Sequence, residues 1–159
     1  MKSIKQSLPF LAALVTTSAL LAGCGATIKE TGESEGMNPR VEAATAAFGP
    51  GFRYMIVGSG NALEDAAFVG LFKPGQESDL SRGLYKRIYE AWSQGERFMV
   101  TGANSRKTAH VIIEALSLSP KDGLPGLELL YLGDQQFVQG IEESVIRVGG
   151  ELRSAPYPG

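Results

Sequence analysis

"RFMVTGANSRKTAHVIIEALSL", residues 97–118, changes its hydrophobic period once, at a defined place. Phe98 to Thr101 form a short run of apolar and β-branched side chains, the composition of a buried strand. Gly102 permits a sharp exit, and Asn104 is of the type that caps a helix N-terminus. From Ser105 the apolar residues recur at helical spacing, as Ala109, Ile112, Ile113 and Leu116. The stretch therefore reads as strand, tight turn, helix.

The same unit recurs on either side. "FRYMIVGSG" (52–60) reads as a buried strand that ends in glycines. Asn61 and Glu64 have the spacing of a capping box, which predicts a short helix over 62–72. "KPG" (73–75) stops that helix. "DLSRGLYKRIYEAWSQG" (79–95) sets Leu80, Leu84 and Ile88 on one stripe, with Tyr85, Tyr89 and Trp92 beside it and Gly95 to close the end. Such an aromatic stripe belongs to a core more often than to a contact, so ring exposure would point to a protein partner. After a turn-rich loop (119–126), "LELLYLGD" (127–134) is a third strand, and Asp134 can cap a helix over 135–148. Phe137, Ile141, Val145 and Val148 line that helix's inner face. Gly149-Gly150 ends it, and "ELRSA" (151–155) is a short fourth strand.

Strand and helix alternating in this way predict an α/β fold: a small three-layer sandwich of about four mainly parallel strands with flanking helices. Right-handed crossovers then gather the helix-entering turns at one edge of the sheet. Three turns meet there: "GSGN" (58–61), "GAN" (102–104) and "GDQQ" (133–136). Ligands of open α/β sheets bind along this carboxyl edge. The candidate lining groups are Ser59, Asn61, Thr101, Asn104, Ser105, Arg106, Lys107, Asp134 and Gln135. Turn and cap chemistry alone also accounts for these residue types.

"GANSRKT" (102–108) is not a phosphate-binding loop, because the second glycine is missing and the spacing is one residue short. Arg106 and Lys107 nevertheless fall in the first turn of a helix, where the dipole disfavours cations. A bound anion would reverse that penalty, whereas two solvated side chains would need no ligand. Catalysis has little support. His110, the single histidine, is placed by Arg106 and Glu114 on a solvated helix face, and no serine sits in a nucleophile elbow. Glu64-Asp65 and Glu142-Glu143 are adjacent within helices, so each pair diverges and reads as a solvated face. An enzyme is not expected, nor is a metal or other cofactor.

The first residues carry a separate signal. Lys2 and Lys5 precede an uncharged, mostly apolar stretch, Leu8 to Ala22, which leads into "LAGC" (21–24) and the chain's single cysteine. The stretch has the length of a secretory h-region and is shorter than the roughly 20 residues that span a bilayer. Charge, length, small residues and cysteine together resemble the lipobox of bacterial lipoproteins. That resemblance implies diacylglyceryl attachment at Cys24, removal of residues 1–23 and, in Gram-negative bacteria, acylation of the new amine. Gly25, where the family's retention signal has Asp, implies the outer membrane. At about 0.8 kcal/mol per buried methylene, two or three chains hold a protein firmly to a bilayer.

Without residues 1–23 the formal charge falls from −2 to −4, which argues against a nucleic-acid partner. Residues 24–50, rich in Gly, Ala, Thr and Glu, read as a lipidated N-terminus and flexible tether with at most a helical turn at Val41 to Phe48. Residues 51–159 read as a single α/β domain. The expectation is thus an outer-membrane lipoprotein whose domain faces the periplasm and contacts an envelope protein. The other expectation is a small anionic-ligand or glycan-binding module.

Overall fold

The structure, a computed structural model, describes residues 38–70 and 78–158. The expected signal segment, Cys24 and the expected tether up to residue 37 lie outside the described residues, as do the end of the helix expected over 62–72 and its stop at 73–75. The elements in chain order are α1 (Pro39–Phe48), β1 (Phe52–Val57), α2 (Ala62–Gly70), α3 (Asp79–Ser93), β2 (Arg97–Gly102), α4 (Ser105–Ser117), β3 (Glu128–Leu132), a 3-10 turn (Gln135–Phe137), α5 (Val138–Arg147) and β4 (Glu151–Ala155). All four strands are parallel, in the order β1-β2-β3-β4. The α/β sandwich expected from the alternation is the observed fold.

The local chemistry explains the element ends. Asn61 and Glu64 form a reciprocal capping box, with Asn61 Oδ1 accepting from the Glu64 amide at 2.9 Å and Glu64 Oε2 from the Asn61 amide at 3.2 Å. Asn104 caps α4 by accepting from the Lys107 amide at 3.0 Å. Asp134 caps the 3-10 turn through the Gln136 amide, so the helix expected over 135–148 opens with a tighter turn before α5. Gly95, at φ 68, takes the left-handed conformation that ends α3. Glu114 of α4 accepts from the Ser78 amide at 3.0 Å and from both the Ser78 and Ser81 hydroxyls. It thereby joins the N-terminus of α3 to α4 and is not on a solvated face.

Sequential strand order has a consequence for the layers. Neighbouring parallel strands joined by right-handed crossovers put every crossover helix on one face. Leu84, Ile88 and Ala91 of α3, Val111, Ile112 and Ala115 of α4, and Ile141 and Val145 of α5 are all buried against Met55, Val57, Phe98, Val100, Leu129 and Tyr131. The opposite face would be bare without another element, and α1 supplies it. Val41, Ala44 and Phe48 pack on Met99, Leu130 and Leu132, with Tyr54, Ile56 and Ala155 beside them. The third layer therefore comes from the stretch read as tether. The folded unit thus includes α1 and not only residues from 51 onward, because a sheet buried on two sides needs an apolar cover on each.

Candidate functional site

The three turns do share the carboxyl edge, and Asp65 ties the first two of them together. The capping box at Asn61 starts α2 so that Asp65 points inward, where it is 2% exposed. Its carboxylate accepts from four donors: the Ser59 hydroxyl, the Gly60 amide at 3.2 Å, Asn104 Nδ2 at 3.1 Å and Lys107 Nζ at 2.9 Å. Burial pushes this carboxyl up, but the bonds from Ser59, Lys107, Gly60 and Asn104 outweigh it and hold the group well below the usual carboxylate range. Asn104 thus serves two elements, capping α4 with its oxygen and bonding the α2 carboxylate with its nitrogen. The Lys107 ammonium also lies 5.1 Å from the centroid of the Phe68 ring.

This cluster corrects two expectations. Asp65 is not on a solvated face with Glu64; only Glu64 is exposed. Lys107 is neither solvated nor available to an outside anion, since it is buried and its charge is answered by Asp65. A cation at the start of α4 is tolerated because α2 delivers a carboxylate to it. The first turn of α4 holds no acid, so the burial of Lys107, which only the fold reveals, requires one from another element.

A shallow, open cleft of about 530 Å³ lies above the pair. Ser59, Asn104, Ser105, Arg106 and Asp134 line it, together with Asp65, Gln136 and Phe137. On its far side the Asp134 amide donates to Ser105 Oγ at 3.1 Å, which joins the third turn to α4. The Tyr131 hydroxyl reaches the Asp134 carbonyl at 3.4 Å, and burial pushes that phenol up. Asn61 is exposed and spent on its capping box. Thr101 faces α1 instead, where its buried hydroxyl donates to the Leu132 carbonyl and accepts from Arg40 Nη1 at 3.2 Å. Gln135 bonds the Gly133 carbonyl and accepts from Ser154 at 3.4 Å, and does not line the cleft.

The cleft is shallow for a topological reason. Crevices form in open sheets where strand order reverses and consecutive turns diverge to opposite faces. The order β1-β2-β3-β4 has no reversal. Asp65 already accepts four hydrogen bonds and cannot take a substrate proton at neutral pH. His110 is half-buried, edge-on to Phe68 with centroids 6.5 Å apart, and is not on the open face expected for it. Among the described residues no three His, Cys, Asp or Glu side chains gather as a metal site. Glu142 and Glu143 are exposed.

A second surface lies on α3. Tyr85, Tyr89 and Trp92 form a row, with Tyr85–Tyr89 centroids 6.1 Å apart and Tyr89–Trp92 centroids 5.4 Å apart. Trp92 Nε1 donates to the Pro125 carbonyl at 2.9 Å, which fixes its ring. Tyr85 is half-buried, and burial followed by the neighbouring Tyr89 pushes its hydroxyl up. Tyr89 is 44% exposed.

Comparison of the chain with protein-family models, curated proteins and solved structures gives no match.

Proposed function

We propose that this chain is a lipoprotein of the outer membrane, anchored through Cys24, whose periplasmic α/β domain is an accessory component that docks an envelope protein. The observation that carries the docking is the half-exposed aromatic row of α3. Tyr89 sits between the half-buried Tyr85 ring and the Trp92 ring held by Pro125, so covering it costs little side-chain freedom. Support for the anchor comes from residues 1–24 alone. Among the described residues no helix is long and apolar enough to cross a membrane.

A photo-crosslinking residue at position 89 is expected to give one discrete envelope-protein adduct in intact cells. Tyr89→Ala is expected to weaken that complex about five- to thirty-fold, the loss for an aromatic anchor worth about 1–2 kcal/mol. Unchanged circular dichroism would show that the fold is intact. Absence of an adduct at normal expression would remove the docking role.

One observation favours a second reading, a glycan-binding module. The cleft pairs half-buried Phe137 with amide, hydroxyl and guanidinium groups. Arg106 offsets Asp134 and Lys107 offsets Asp65, so the cleft suits a neutral ligand better than an anion. Titration with cell-envelope glycans, followed by NMR, is expected under this reading to shift the amides of Ser59, Asn104 and Ser105. Unshifted amides at millimolar glycan would dismiss it.

A further inference from the structure

We propose that the carboxyl edge of the sheet lies against the bilayer that carries the anchor, with Leu63 of α2 as the side chain that enters it. This rests on lipidation at Cys24 and adds an orientation to it. The first reason is where the chain enters the domain. Arg40, in the first turn of α1, donates to Thr101 near the end of β2 and stacks 3.8 Å above the Tyr157 ring, just past β4. At the other end of α1 the Phe48 carbonyl accepts from Arg97, the first residue of β2. The helix therefore runs antiparallel to the strands, and Asn38 emerges at the carboxyl edge. The anchored cysteine is fourteen residues upstream of Asn38.

Fourteen residues span at most about 50 Å, more than the roughly 35 Å width of a domain this size. The link alone therefore permits any face to meet the membrane, and a contact must select the carboxyl edge. Leu63, in the first turn of α2 on that same edge, is 80% exposed. Ala66 and Ala67, one turn further on, are exposed beside it, while the one buried side chain described in α2 is the carboxylate of Asp65. Phe68 packs inward on the core beside that carboxylate, and the outward side of the helix presents Leu63, Ala66 and Ala67 next to exposed Glu64. Arg106 is exposed on the same edge and suits lipid phosphates; Glu64 and Asp134 oppose it, so the apolar contact leads. Tethering makes this contact intramolecular, and a weak apolar surface then suffices.

Ile146 is the natural control. It is 63% exposed on the last turn of α5, which leads into the start of β4 at the opposite edge. The full-length protein carrying Leu63→Cys or Ile146→Cys, labelled with an environment-sensitive fluorophore, would be placed in phosphatidylethanolamine–phosphatidylglycerol vesicles containing spin-labelled lipid. The position-63 probe is expected to shift to the blue and lose at least half its emission, while the position-146 probe changes little. Equal behaviour at the two positions, in a product whose Cys24 acylation mass spectrometry has established, overturns the orientation and leaves the anchor standing. Position-63 protection that follows the protein-to-lipid ratio instead of spin-label density means a second copy covers the edge, and also overturns it. An unmodified Cys24 thiol overturns anchor and orientation together.

Discussion

Asp65→Ala is expected to lower stability by about 3 kcal/mol at pH 7, the low end of the cost of stripping one partner from a buried ion pair. The low end applies because Lys107 keeps 11% of its side chain in water and has a long stem with which to move outward. For a domain of this size the loss is a melting-temperature drop on the order of 10 °C. Lys107→Met should cost less. It leaves the carboxylate three of its four donors, Ser59, Gly60 and Asn104, and puts an apolar chain beside Phe68. The double variant should then be more stable than the two single losses added together, with a coupling of roughly 1–3 kcal/mol. Thermal melts of the four proteins measure the cycle. An Asp65→Ala protein that melts within a degree of wild type would mean the pair does not hold α2 to α4.

The pair also sets a pH dependence of known sign. The folded-state carboxyl of Asp65 lies below its unfolded value, so the folded protein binds fewer protons there than the unfolded chain. The stabilisation is complete above the ordinary carboxylate range. It is lost progressively as pH falls below about 4 toward the depressed folded value. Wild type should therefore lose part of its advantage over Asp65→Ala at pH 3 and keep all of it from pH 5 to 8.

What the sequence made legible is the chemistry that acts locally. The capping box at Asn61, the caps at Asn104 and Asp134, the stop at Gly95 and the buried runs of β2 and β3 all depend on residues a few positions apart. Parallel pairing follows from the alternation, but strand order does not, because each crossover could return on either side of the strand it left. The order β1-β2-β3-β4 in turn decided that the edge would be shallow and that one face would need a separate cover. Of the nine edge residues named from sequence, five line the cleft. Of the four misses, Asn61 and Gln135 bond close to home in the chain, whereas Thr101 and Lys107 had two possible destinations that tertiary packing settled. Thr101 points through the sheet to α1, and Lys107 points down to a carboxylate from a different helix. Asp65 was hidden by its neighbour Glu64, which is solvated as expected.

The least legible element makes the second large prediction: a chain that begins at Gly51, where the composition changes, should not fold. The sequence of α1, "PRVEAATAAF", is nearly even in hydropathy around its axis because alanine occupies both its inner and outer faces. Burial of Val41, Ala44 and Phe48 therefore leaves almost no periodic trace. The packing is nonetheless substantial. Phe48, 6% exposed over Met99, Leu130 and Leu132, should cost about 3 kcal/mol on truncation to alanine, at the lower end for a core phenylalanine. Removing the whole helix also strips the Phe48 and Pro50 carbonyls from Arg97 and the Arg40 contacts from Thr101 and Tyr157. The total approaches the 5–15 kcal/mol that holds an ordinary domain together. The 51–159 chain should then give collapsed amide dispersion and no cooperative melt, while a chain from residue 38 keeps a cooperative melt. A cooperative transition for 51–159 within a few degrees of the longer chain would show that the sheet holds with one face uncovered.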